Sequence, residues 1–262
     1  AYLDVTDNRL RQNSATLIAR QIKQQIQEQT GLTASAGVSF NKFLAKLASD
    51  FQKPDGLTVV TPQQAAQFLD ATSIRKFFGV GKVTEARLKA LGIQTGADLK
   101  QVSEEQLRIL FGERGSMLYN YVRGEDHRPV LPTRIRKSIG KETTLETDSA
   151  DHEQIVRILQ HLSEQVEKHL IELGIAGKTI TLKIKWSDFQ LITRSTTVPI
   201  AIQDAHKMMQ HLLVLLAQLK SEQKPVRLLG VSLSNLVPEH GMSPQQIYTS
   251  RSLWDTDPSP LP

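Results

Sequence analysis

Cysteine is absent from all 262 residues. That excludes a disulfide framework, a thiolate zinc site, an iron–sulfur cluster and a thiol nucleophile, and leaves histidine or carboxylate metal sites open. No apolar run approaches the roughly 20 residues needed to span a bilayer, and no basic start precedes an apolar stretch of the secretory kind. A cytoplasmic protein without membrane contact is therefore expected. A glycine-rich nucleotide loop, a nucleophile elbow and a catalytic-triad signature are also missing. Charge is nearly balanced, with 32 Lys+Arg against 27 Asp+Glu and a net +5, so net charge argues only weakly for a polyanionic partner and the placement of the basic residues must decide. The seven histidines (127, 152, 161, 169, 206, 211, 240) show no metal-ligand spacing and read as surface residues.

What is present has a clear order. The length suits two or three compact units. The chain opens on Ala1-Tyr2-Leu3-Asp4-Val5-Thr6, a strand-like alternation from its first residue with no initiator methionine, so the sequence is expected to be a piece of a longer one. Asn13-Ser14 caps a helix running to Thr30, with Gly31 as its stop. Leu32 to Val38 reads as a strand, Asn41 to Phe51 as a helix capped by Ser39, and Leu57 to Val60 as another strand. From Thr61-Pro62 to about Val130 the periodic segments are short helices, one opened by the capping box at Ser103 to Gln106. Pro129 to Pro132 and the following Arg134 to Lys137 read as a tether. Strand, helix, strand, strand, helix, strand then follow at residues 135–146, 151–173, 179–186, 190–198, 203–219 and 226–236, a split-βαβ order with both helices on one face of the sheet. The whole is an α+β multi-domain chain: βαβαβ, then all-α, then split βαβ. Residues 237–262 read as a disordered tail.

Three groups of residues could carry chemistry. In Phe78-Gly79-Val80-Gly81-Lys82-Val83-Thr84 the Gly-x-Gly turn of a helix-hairpin-helix would let backbone amides and a helix N-terminus approach a phosphate, with Lys82 adding charge. An ordinary αα-hairpin turn fits the same pattern. A weaker version follows at Gly112, Arg114 and Gly115. Lys42, Lys46 and Lys53, at intervals of four and seven, would line one helical stripe opposite the apolar face, either as a solvated surface or facing phosphate. On the tether and the last sheet lie Arg134, Arg136, Lys137, Ser138, Lys141, Lys183, Lys185, Thr193, Arg194, Ser195, Thr196 and Arg227. Basic and hydroxyl side chains on an open sheet face would suit backbone contacts in a nucleic-acid groove.

These features together resemble the Y-family translesion DNA polymerases of the DNA polymerase IV (DinB) class. The residues that carry the resemblance are Ala1 to Thr6, Thr33 to Ser39, Asn41 to Gly56, Phe78 to Thr84 and Arg136 to Glu142. It implies that residues 1–61 are the C-terminal part of the palm, 62–132 the thumb that tracks the minor groove of a primer–template duplex, and 133–236 the little finger along the major groove. It puts Lys53, assisted by Lys46, on the triphosphate of the incoming dNTP. The family's three carboxylates, which hold two Mg2+ ions, would fall upstream of Ala1, so this chain is expected to bind primer–template DNA as a monomer without extending primers. A sliding-clamp contact would use Gln245-Gln246-Ile247-Tyr248 or Ser252-Leu253-Trp254. Two other readings remain open. One is a non-catalytic helix-hairpin-helix DNA-binding protein. The other is an RNA-binding sheet, which would need exposed aromatics on its central strands.

Overall fold

Local signals set the helix limits. Ser14 accepts the Leu17 amide at the start of α1 (Ala15–Thr30), and Gly31 ends it in the left-handed conformation with φ 70°. Asn41, and not Ser39, caps α2 (Lys42–Ser49) by accepting the Leu44 amide. The Ser39 hydroxyl donates instead to the Val60 carbonyl at 2.8 Å. Pro62 stands at the first turn of α3 (Pro62–Ala71), while Thr95 and Ser103 form capping boxes at α5 (Gly96–Lys100) and α6 (Glu104–Phe111). Between α3 and α5 lies α4 (Lys82–Ala90), and α7 (Glu113–Val122) follows α6.

The structure, a computed structural model, describes residues 1–8, 11–131, 136–219 and 224–238, and divides into two units, residues 1–130 and 131–262. In the first unit β1 (Ala36–Val38) and β2 (Leu57–Val59) form a parallel pair against which α2 packs. The expected opening strand is not formed. A strand needs a neighbour to take its amides, and here the Asp4 carboxylate accepts both the amide and the hydroxyl of Thr6, at 3.0 and 2.7 Å. The strand expected from Leu32 shortens to β1 because β2 offers it only three partners. The segments before and after residue 61 share one core: Phe43, Leu44 and Leu47 of α2 cluster with Leu69, Phe77, Leu118 and Tyr121. Burial of each such side chain contributes about 1.5–3 kcal/mol, so α2 is anchored to the helical segment as well as to its own sheet.

The second unit is a four-stranded antiparallel sheet in the order β3 (Ser138–Ser149), β6 (Val226–Pro238), β4 (Ile175–Trp186), β5 (Leu191–Ile202). The last strand lies between the first two, so each βαβ unit is split by an antiparallel strand. Helices α8 (His152–Leu173) and α9 (Ala205–Ala217) both cover one face. Alternation explains which face: Ile180, Leu182, Ile184 and Trp186 of β4, with Leu229, Val231 and Leu233 of β6, are buried under Leu159, Val166 and Leu170 of α8 and Met208 and Leu212 of α9. The opposite face is uncovered by any helix among the described residues. The expected tail, with both clamp-like motifs, lies outside the described residues except for its first two, Val237 and Pro238, which end β6.

Candidate nucleic-acid interface

The turn at Phe78 to Lys82 begins from a short 3-10 segment, Ile74–Lys76. Ile74 and Phe77 are buried and anchor it. Gly79 turns the chain with φ 88°, a conformation that a Cβ resists. Gly81 differs: its φ of −89° suits any residue, and a Cβ built there would meet nothing within 4 Å. No contact among the described residues therefore requires glycine at position 81. Gly81 is the N-cap of α4, no side chain caps that helix, and Lys82 and Val83 are exposed beside it. The first-turn amides are left for an outside acceptor, and the helix dipole favours an anion there. Val80 contributes no donor, since its amide binds the Phe77 carbonyl at 3.0 Å and its side chain packs on the core.

The second turn is built differently. Gly112 joins α6 to α7 at φ 61° and is exposed, as is Arg114. Gly115, however, is buried, and a Cβ there would lie 1.9 Å from the Leu107 carbonyl oxygen. Its expected DNA contact gives way to a packing role: it lets α6 and α7 approach. Arg87 ties the two hairpins together by donating to the Leu110 carbonyl at 2.9 Å, with its guanidinium 5.0 Å from the Phe111 ring.

The lysine stripe is not one helical row, because α2 ends at Ser49 and the following turn brings Lys53 back. Lys46 and Lys53 converge on the Asp50 carboxylate, one on each oxygen. Lys42 points elsewhere, donating to the Pro129 carbonyl at 3.0 Å. The start of α2 is fastened to residues 124–129. Asn41 donates to the Gly124 carbonyl at 2.7 Å, and Asp126, whose side chain is 1% exposed, accepts the Phe43 amide at 2.9 Å. Arg128 grips the same carboxylate through Nε and Nη2 at 2.7 and 2.8 Å, and its guanidinium lies 5.7 Å from the Phe78 ring in the glycine turn. Burial pushes the Asp126 carboxyl up, but the Arg128 hydrogen bonds and the Phe43 amide outweigh it and hold the carboxyl below its ordinary value. One buried carboxylate thus links the helix carrying Lys46 to the segment touching the glycine turn.

On the sheet, register assigns the faces. Opposite pairs on the uncovered side are Thr181 with Ser195 and Ser232, Lys183 with Thr193 and Gly230, Lys185 with Leu191 and Leu228, and Ser138 with Ser234. Lys183 is paired with Glu142 at 2.6 Å, whereas Lys185 has no acidic partner among the described residues.

Comparison with known proteins gives this geometry a context. Residues 136–247 match the model of the impB/mucB/samB family C-terminal domain, residues 1–50 that of the impB/mucB/samB family, and residues 76–126 that of the DNA polymerase-iota thumb domain. A DNA polymerase IV from Listeria monocytogenes is 48% identical over 238 residues, covering 91% of this chain and 67% of the relative. The chain belongs to the Y-family DNA polymerases of the DNA polymerase IV class. A DNA polymerase IV from Clostridium perfringens is also 48% identical, over 236 residues, with 90% of this chain and 66% of that protein covered, so the chain spans just under two thirds of that relative's length. Among solved structures, a Y-family DNA polymerase chimera aligns with TM-score 0.71 and 27% identity over 86% of this chain and 64% of its own.

Set on this Y-family frame, the expected site residues separate. Gly79, Gly81 and Lys82 share one exposed turn, and Ser138, Lys183, Lys185, Thr193 and Ser195 share the uncovered sheet face. Others do not join them. Arg194 stands opposite Leu182 and Lys141 opposite Val231, both on the helix side of edge strands, because strand side chains alternate. Thr196, opposite Ile180, is on that side too. Arg136 contacts His169 of α8 at 3.3 Å. Arg227 pairs with Asp148 at 3.4 Å and lies 4.6 Å from the Phe189 ring, a structural use. Lys137 is exposed just before β3, and Arg134 lies outside the described residues. Sequence reasoning passed over Asp126, Arg128, Asp50 and the hydroxyls Thr179, Thr181, Ser232 and Ser234. Only the last group had a visible signal, their alternation along β4 and β6.

Proposed function

We propose that this chain supplies the duplex-gripping part of a template-directed, error-prone translesion DNA polymerase, holding primer–template DNA by its phosphate backbone. The observation that carries the reading is Gly81, a glycine that no internal contact requires, at an uncapped helix N-terminus beside Lys82. Backbone amides and hydroxyls grip phosphate without reading bases, as an enzyme that copies any template needs. The uncovered sheet face, with its serines, threonines and Lys185, is the second contact, along a groove. Its paired positions carry no aromatic ring, which favours duplex backbone over stacked single-stranded RNA.

In this proposal residues 1–61 are palm, 62–132 thumb and 133–236 little finger, acting in the cytoplasm as a monomer. Lys53 and Lys46 take the triphosphate of the incoming dNTP. The complete polymerase docks on the sliding clamp through the tail motifs named above. In the complete enzyme two Mg2+ ions would supply the positive charge that phosphoryl transfer needs. The residues here do not fit those ions: among the described residues no three His, Asp or Glu side chains come together to hold a metal. No catalytic step is therefore assigned to them, and the 262-residue chain is proposed to bind DNA without copying it. Incubation with labelled primer–template, dNTPs and Mg2+ tests this. The expected result is a retarded duplex with an unextended primer. Extension by the chain alone, or tighter binding of single-stranded RNA than of the duplex, would overturn the proposal.

A further inference from the structure

The Asp50 carboxylate takes no part in capping α2. As C-cap of α2 the residue satisfies the helix through its backbone amide, which donates to the Leu47 and Ala48 carbonyls, while its carboxylate reaches out to Lys46 and Lys53. All three side chains remain open to solvent, at 33% exposure for Asp50, 38% for Lys46 and 57% for Lys53. Burial raises the Asp50 carboxyl, but the two lysine hydrogen bonds outweigh it and keep the group below its ordinary value. It is an anion at neutral pH. A phosphate entering between the two ammonium groups would have to take the places held by the Asp50 oxygens and would meet their charge.

We propose that Asp50 is an internal counter-anion of the triphosphate site, which occupies Lys46 and Lys53 until a polyphosphate displaces it. The inference rests on the reading of these lysines as triphosphate ligands. The displacement cost is the same for any phosphate group seated there. Asp50 therefore weakens every phosphate ligand by a similar factor, and a triphosphate with further contacts still fills the site at concentrations where a lone phosphate does not.

The test is calorimetric titration of the 262-residue chain with inorganic tripolyphosphate and with orthophosphate at fixed ionic strength, for wild type, Asp50→Asn and Lys53→Ala. Removing one unit charge about 5 Å from a multiply charged phosphate in a watery site should tighten both ligands about five- to tenfold in Asp50→Asn. In the wild-type chain, the 13C resonance of the Asp50 carboxylate should move as tripolyphosphate is added, a readout that needs no variant. Unchanged or weaker binding by Asp50→Asn, with Lys53→Ala still abolishing it, would overturn the counter-anion role and leave the lysine site standing. Binding that is indifferent to Lys53→Ala would overturn both.

Discussion

Replacing Gly81 by alanine separates DNA grip from folding. The backbone at 81, φ −89° and ψ 176°, is open to alanine, and the new Cβ would touch nothing within 4 Å. Alanine is a poorer N-cap than glycine by roughly 0.5 kcal/mol, but it lowers the freedom of the unfolded chain by about as much. Net stability should change by less than about 0.5 kcal/mol, a melting shift of no more than about 2 °C. A bound phosphate would instead be pushed out of reach of the first-turn amides of α4. Loss of one charge-assisted hydrogen bond, about 1.5–3 kcal/mol, weakens binding roughly 10- to 100-fold. Fluorescence anisotropy of a labelled primer–template duplex, beside a thermal melt of the same sample, reads both quantities. Gly115→Ala is the control of opposite kind: its Cβ would lie 1.9 Å from the Leu107 carbonyl oxygen, so it should lower the melting temperature before any DNA is added. Full affinity in a well-folded Gly81→Ala protein would refute the idea that this turn receives a phosphate.

Asp126→Asn should destabilise the first unit by about 2 kcal/mol, because the Arg128 fork and the Phe43 amide lose their anion. The depressed carboxyl contributes stability that is present above about pH 4 and lost as pH falls through its folded value. Melts between pH 7 and pH 3 should therefore show a smaller acid loss in the variant than in wild type. On the sheet, Lys185→Ala should reduce the salt dependence of duplex binding by about one ion, and Lys183→Ala by less, because Glu142 already neutralises Lys183. Equal slopes for the two variants would argue against that face. Asn41→Ala, which removes both the α2 cap and the hydrogen bond to the Gly124 carbonyl, should cost about 1–2 kcal/mol by denaturant titration.

Element type was legible wherever a local signal carried it. Ser14 and Ser103 cap helices, and Gly31 and Gly174 stop them, because these residues act on their own neighbourhood. The strand–helix order of the second unit was legible from period alone. Partners in space were not. The Ala1 to Thr6 alternation is genuine, yet nothing among the described residues pairs with it, and β1 is as short as its neighbour allows. Grouping basic residues by strand hid the alternation that separates Arg194 from Thr193 and Ser195. Counting glycines could not distinguish Gly81, open on every side, from Gly115, wedged against α6. The Asp126 link joins residues 83 positions apart and leaves no local trace.

The central claim, a grip on duplex backbone without base readout, is tested most directly by the salt dependence of binding. Affinity of the 262-residue chain should be measured from about 50 to 200 mM salt for two primer–template duplexes of unrelated sequence. The account predicts a steep linear fall of log affinity with log salt, of several released ions, with the two duplexes superimposed. A flat salt dependence, or a clear preference for one sequence, would contradict it.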